Sequence, residues 1–327
     1  MPKRIFSGIQ PTGIVHIGNY LGAIKNWVNL QDQYECFFCI VNYHALTIPQ
    51  EPQTLSQRVL DLAATLLAAG LDPEKCTLFV QSDVPEHTEL TWLLTCLTPV
   101  GQLERMTQYK DKSQGQETDS IGAGLLCYPV LMAADILIYK ADAVPVGQDQ
   151  TQHLELTRDV ARRFNNAYGP TFPELEGIFT EAAKIMALND PERKMSKSIP
   201  GSYIALTEDP DSIRKKIKRA VTASGADPEA MPPGVTNLFT LLQSFAPSQV
   251  VAQFQQDYDN KTIRYSDLKE AVAEHLIAEL TPIQERYQEL LANPDQLRKI
   301  LSTGAEQARN VASKNLQEIR ERMGLNY

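Results

Sequence analysis

The stretch KMSKS, Lys194 to Ser198, and the segment PTGIVHIGN, Pro11 to Asn19, carry the residue types that grip a triphosphate. Lysines supply compact point charges, while small hydroxyl residues and backbone amides supply further donors. In the upstream segment Gly13 and Gly18 flank His16 just after the apolar run Ile5 to Ile9, which reads as a strand entering a helix. Glycine lets backbone and imidazole approach a nucleotide closely, and a helix start favours negative charge. Each motif alone reads better as a solvated basic turn or a satisfied loop histidine. Together, in this order, they describe one phosphate site.

Such a site needs a frame. The strand-like runs RIFSGI, CFFCIV and TLFVQS alternate with helical patterns, the rhythm of a parallel sheet covered by helices. Thr54 and Gln57 read as a capping box opening a helix whose Leu55, Val59, Leu62 and Leu66 share one face, and Gly70 followed by Pro73 marks its stop. From Gly101 a polar stretch reaches Ser120, followed by an apolar helix, the short strand AVPVG and a helix from Asp149 to about Phe164. This reads as an insertion between two halves of a nucleotide-binding fold. After Ile204, helical segments separated by ADPEAMPPG and NPDQ predict an all-helical domain. The expected class is α/β: a Rossmann-like parallel-sheet nucleotide-binding domain over 1–204, with a helical insertion at about 105–180, and an all-helical domain over 205–327.

A length of 327 residues suits two domains at about 150 residues each. With 43% apolar and 22% charged residues the chain is globular and not disordered. A formal charge of -9 excludes a general attraction to nucleic acid, so any RNA contact must come from a local basic patch. Five cysteines, with Met-Pro-Lys-Arg running directly into a strand-like segment, predict a reduced cytoplasm. Cys36 and Cys39 form a CxxC inside an apolar strand with no second suitably spaced pair, so no metal ligation by protein side chains is expected. The apolar run Gly122 to Tyr139 approaches spanning length but contains Pro129 and Asp135. A buried helix in a protein without a membrane segment is expected.

The two motifs resemble the HIGH and KMSKS pair of class I aminoacyl-tRNA synthetases. IFSGIQPTG, YPVLMAADILIY, VPVGQDQTQHLELTRDVARRF and the later TPIQERY look, in that order, like the bacterial-type tryptophanyl-tRNA synthetase family. The resemblance implies that Gln10, Pro11, Thr12, His16, Gly18 and Asn19 line ATP, with Asn19 standing where the general motif has a second histidine. It implies that Gly147, Gln148 and Asp149 hold the ribose, although the family usually has glutamate at Gln148, and that Ile185 packs near adenine. Lys112, Lys194 and Lys197 would be the triphosphate cations, with Met195, Ser196 and Ser198 completing the loop.

An indole needs an enclosed flat apolar body and an acceptor for one N–H. By the resemblance, Asp135 accepts from that N–H, Met132 one turn earlier forms an adaptable wall, and Phe6, Val41, His44, Val144 and Val146 complete the pocket. Tyr128, Gln150 and Gln10 would orient the ammonium. The plain alternative for Asp135 is a helix carboxylate paired with a protein donor. In DSIRKKIKRAVT, Arg214 with Lys218 and Lys215 with Arg219 share a helix face opposite Ile213, Ile217, Ala220 and Val221, either a tRNA contact or a solvated basic face.

The implied reaction joins L-tryptophan to ATP, as its Mg2+ complex, and then to tRNA(Trp). The implied assembly is a homodimer joined through the inserted helical region. Two rivals stand: a tyrosyl enzyme of shared fold, which would pair two polar groups on a phenol hydroxyl, and an RNA-binding regulator that has lost the chemistry. Met132 with Asp135 speaks against the first, and intact Gln10, Asp149 and KMSKS lysines against the second.

Overall fold

The computed structural model describes residues 2–113, 121–147, 150–179, 184–197, 199–222 and 230–326. Five strands, β1 (Arg4–Ile9), β2 (Glu35–Ile40), β3 (Cys76–Val80), β4 (Ala143–Val146) and β5 (Glu176–Phe179), form one parallel sheet in the order β3-β2-β1-β4-β5. The chain winds outward from β1 to β3, then returns to β4 on the other side. The strand order therefore reverses between β1 and β4, where ligands collect in such sheets.

Alternation along the strands sends side chains into two cores. Ile5, Cys36, Phe38, Ile40, Cys76, Leu78 and Val80 face one cluster. Phe6, Phe37, Cys39, Phe79, Val144 and Val146 face the other. Near-continuous apolar strands are the signature of a sheet buried on both faces. Register begins at Arg4, opposite Glu35. Its guanidinium meets both Glu35 oxygens at 3.0 Å and the Tyr139 carbonyl at 2.7 Å.

Between β1 and β2 lie α1 (Ile17–Asn19), a π-helical turn (Tyr20–Ile24) and α2 (Lys25–Leu30). After β2 come α3 (Asn42–Ala45) and α4 (Pro52–Ala68), and after β3 come α5 (Glu86–Thr95), α6 (Val100–Leu103), α7 (Thr107–Ser113) and α8 (Ala123–Leu137). Helix α9 (Thr151–Tyr168) joins β4 to β5, and α10 (Pro210–Arg219), α11 (Pro233–Phe245), α12 (Ser248–Asp259), α13 (Tyr265–Ala292) and α14 (Pro294–Arg322) follow. The segment after residue 205 is helical, yet it shares both cores with the sheet. Leu297 and Leu301 of α14 enter the first cluster, and Ala305, Ala308, Ala312, Leu316 and Ile319 enter the second. This helix crosses the edge strand β3 at Gly304, where an added Cβ would lie 1.9 Å from the Leu78 carbonyl oxygen. An uncovered edge strand invites pairing with other chains, and α14 removes it.

Three expectations change. Helix α4 starts at Pro52 with Glu51 as its extended N-cap, not at a Thr54 capping box. Proline at the first helical position has a suitable φ and lacks only an amide that would be unpaired anyway. Gln57 instead bonds Asp61, 2.9 Å away. The segment at 105–180, read as a helical insertion, supplies β4 and β5 to the main sheet. The strand read at AVPVG is β4 and joins the main sheet, while β5 (EGIF) carries no alternation by which it could be seen. The helix after AVPVG runs Thr151–Tyr168, a turn past the expected Phe164, to Gly169 at φ 93°. The apolar run folds as the buried helix α8, and no helix among the described residues is long and apolar enough to cross a membrane.

Candidate active site

A cavity of about 370 Å³ opens at the carboxyl ends of β1, β2 and β4, at the reversal of strand order. Its floor and walls are Phe6, Val41, His44, Tyr128, Met132, Asp135, Val144 and Val146, with Gln10, Asn19, Gly147 and Gln150 at its polar side. The structure thus gathers every residue expected around an indole into one pocket. The apolar members come from strand ends and from α8, so rigid elements set its shape. Ile9, Gly22, Ala23, Asn26, Trp27 and Gln108 also line it without having been signalled by the sequence.

Asp135 is the charge at the bottom, only 1% exposed. Gln81 Nε2 donates to its Oδ1 at 2.7 Å, His87 Nδ1 lies 2.6 Å from the same oxygen, and His44 Nε2 lies 2.7 Å from Oδ2. Burial pushes the carboxyl pKa up, but the His44 and His87 hydrogen bonds outweigh it and hold the group below the usual carboxylate range. The aspartate is therefore an anion prepaired with protein donors, as the plain alternative required, and it also borders the cavity. An ionised carboxylate has about four lone-pair sites, so three protein donors leave room for one more.

Tyr128 meets His153 Nε2 at 2.9 Å and donates to Gln108 Oε1 at 3.3 Å, which fixes its ring against the cavity, while burial raises its pKa to about 12. Neighbouring His44 stands edge-on to that ring.

Beside this pocket the two phosphate motifs close on each other. Lys197 Nζ donates to the Thr12 carbonyl at 2.5 Å and hydroxyl at 2.7 Å. Ile17 N–H bonds the Ile204 carbonyl at 3.0 Å, Leu206 N–H the Val15 carbonyl at 3.0 Å, and His16 bridges to Ala205. In the lysine loop Met195 N–H bonds the Ile185 carbonyl at 3.1 Å, and Ser202 Oγ donates to the Ser196 carbonyl. Lys194 is exposed on the same loop and bridges to Met186 through the backbone.

His16 is 7% exposed, and its Nδ1 has no hydrogen-bond partner among the described residues. Burial, reinforced by the charges of Lys197 and Lys194, lowers its pKa to about 4. The ring is neutral at pH 7 and keeps one donor for a ligand. Asn19 accepts the His16 backbone N–H at 3.2 Å, which holds the loop in place. Gly18 lets the His16 ring lie close: an added Cβ would meet that ring at 3.0 Å, and the imidazole would have to shift. Buried Pro11 shapes the turn leading to Thr12.

Ile185 is not at the cavity wall. It is 2% exposed inside the first core cluster, and its carbonyl accepts from the Met195 N–H of the lysine loop. Gln148, Asp149 and Ser198 lie outside the described residues, and of Lys112 only its place in α7 is described. On α10, Ile213, Ile217 and Ala220 are buried while Arg214, Lys215, Lys218 and Arg219 are exposed, as the periodicity requires; Val221 is only partly buried. Arg214 is engaged with Glu274 at 3.0 Å and Asp211 at 3.4 Å. His87 and Gln81 escaped sequence reading, since neither spacing nor composition links them to Asp135, and Tyr139 was read only as the end of the apolar run.

The family model described as tRNA synthetases class I (W and Y) matches residues 1–281. The tryptophan–tRNA ligase of Clostridium acetobutylicum is 51% identical over 330 residues, spanning 98% of this chain and 97% of its own. The solved tryptophanyl-tRNA synthetase of Campylobacter jejuni, complexed with ADP and tryptophan, superposes with a TM-score of 0.86 at 38% identity, over 98% of this chain and 99% of that one. The enzyme from Mycoplasma pneumoniae gives a TM-score of 0.88 at 37% identity, over 100% and 99%.

Proposed function

The chain belongs to the class I tRNA synthetases of the tryptophan and tyrosine branch, and we propose how its pocket performs a tryptophan–tRNA ligase reaction. The observation that carries the reading is Asp135, one buried anion at the foot of an apolar cavity whose mouth adjoins the Thr12–Lys197 closure. An indole fills the apolar space and its N–H takes the remaining acceptor site on Asp135. Met132, Phe6, Val144 and Val146 enclose the ring, and Tyr128, Gln150 and Gln10 receive the ammonium.

ATP lies along Gln10, Pro11, Thr12, His16, Gly18 and Asn19, with the ribose at Gly147, Gln148 and Asp149. Tryptophan carboxylate, already ionised at neutral pH, attacks the α-phosphorus. The P–O bond to pyrophosphate breaks and tryptophanyl-adenylate forms. No protein base is required. Lys194 and Lys197, with Lys112, stabilise charge that builds on the leaving pyrophosphate, and neutral His16 donates a hydrogen bond without competing as a cation. The terminal ribose hydroxyl of tRNA then takes the acyl group and AMP leaves.

Magnesium arrives with ATP as substrate. The basic face of α10 contacts tRNA(Trp). The homodimer, expected through the inserted helical region, forms instead just before it, on α5 and α6, where Trp92 is 68% and Val100 60% exposed, apolar surface that a partner would cover. Light scattering should give twice 36.5 kDa. The protein works in the cytoplasm, which suits five unpaired cysteines.

Tryptophan-dependent ATP–pyrophosphate exchange tests the reading. Exchange that demands tyrosine, or none with any amino acid, overturns it.

A further inference from the structure

His87 lies wholly inside the protein, away from the cavity wall, and the reaction above gives it no task. Its Nδ1 sits 2.6 Å from Asp135 Oδ1, and its Nε2 sits 2.8 Å from the Tyr139 hydroxyl. The carboxylate partner fixes one proton position. An anionic carboxylate only accepts, so His87 Nδ1 carries the hydrogen; in the neutral ring Nε2 is then the acceptor, and Tyr139 O–H donates to it. Tyr139 is itself immobilised, its ring stacked on Phe37 at 4.6 Å and on Phe6 at 5.6 Å. Phe6 is also a wall of the amino acid pocket.

We propose that His87, locked by Tyr139, is a positioning residue for amino acid specificity: it fixes the Asp135 carboxylate so that the open lone pair faces the substrate N–H. This rests on the reading that Asp135 accepts from the indole. The argument is geometric. Oδ1 is held by two donors, Gln81 and His87, whereas Oδ2 has one, His44. The carboxylate plane is thus pinned from the side away from the ligand, and Oδ2 keeps the spare acceptor site. Loss of the His87 donor leaves Oδ1 with Gln81 alone and one open acceptor site, so the carboxylate is less tightly fixed and can turn from that alignment. A hydrogen bond to a charged group is sensitive to such misalignment.

The test compares tryptophan with its isostere 3-(benzothiophen-3-yl)alanine, which has the same shape but no N–H, by kcat/KM in ATP–pyrophosphate exchange on the full chain. Tyr139→Phe removes one hydroxyl and keeps the ring stack. His87→Asn keeps a donor near the Nδ1 position, and His87→Leu removes it. Asp135→Asn serves as the control for the underlying reading. The wild-type preference for tryptophan should fall about tenfold or more in His87→Leu, severalfold in Tyr139→Phe, and little in His87→Asn. A structural role would depress both substrates equally and leave the ratio unmoved. If Asp135→Asn collapses the ratio while His87→Leu and Tyr139→Phe do not, the positioning role is overturned and the pocket reading stands. If Asp135→Asn itself leaves the ratio intact, the pocket reading fails and the inference with it. Should His87→Leu not fold, the ratio in Tyr139→Phe decides: unchanged, it overturns the proposal.

Discussion

Lys197 Nζ donates to both the carbonyl and the hydroxyl of Thr12, a residue 185 positions earlier in the chain. The ammonium therefore bridges the two phosphate motifs, and its desolvation, together with the nearby charge of Arg58, lowers its pKa. A cation held by neutral oxygens is ready to exchange them for phosphate. Lys197→Ala or Lys194→Ala should lower adenylate formation about a hundredfold or more with tryptophan binding nearly unchanged, because the charge they meet develops late. Single-turnover adenylation at the wild-type rate in both variants would remove them from the reaction.

Asp135→Ala should weaken tryptophan binding and narrow discrimination against phenylalanine, by on the order of 1 to 3 kcal/mol. The variant also leaves Gln81, His44 and His87 without their acceptor, so its melting temperature should fall. Exchange kinetics with an untouched tryptophan preference would make the carboxylate purely structural.

His16 gives a pH prediction of definite sign. Its folded pKa of about 4 lies below the ordinary value of 6.5, so the unfolded chain binds more protons between those values. The stability this neutral ring contributes is fully present above the ordinary value and is lost as pH falls toward the folded one. In an NMR titration of the ligand-free protein the His16 imidazole should show no protonation step near neutrality. A step at the ordinary histidine pKa would refute the desolvated site.

On α10 Lys215, Lys218 and Arg219 have no carboxylate within ion-pair distance among the described residues, whereas Arg214 has two. Lys215→Glu with Arg219→Glu should weaken tRNA binding and flatten its salt dependence, since fewer counterions are released. Tryptophan activation without tRNA should persist. Charging that stays unchanged across a salt titration would mean that the face is merely solvated.

Gly304→Ala places a methyl group 1.9 Å from the Leu78 carbonyl oxygen, a backbone atom that can yield only if α14 lifts off β3. Destabilisation of roughly 1 to 3 kcal/mol or more is expected from such overpacking. Thermal unfolding of this variant matching wild type would show that the helix does not seal the edge.

Residue types and order alone determined the phosphate motifs, the apolar strands β1 to β3 and the buried nature of α8, because each rests on local chemistry or on short-range periodicity, whereas the pocket roster came from the family resemblance of the whole sequence. Strands β4 and β5 were too short to announce their place, and only pairing with β1 put them in the sheet. Pro52 opens the helix in place of the Thr54 cap, because its fixed φ suits the first helical position and its missing N–H would be unpaired there anyway. The state of Asp135 was the largest matter left to tertiary structure. A lone carboxylate in an apolar helix says that a donor must exist, but Gln81, His44 and His87 come from three other segments. What brings them to one anion is the burial of α8 against the sheet, a long-range event that no local pattern encodes.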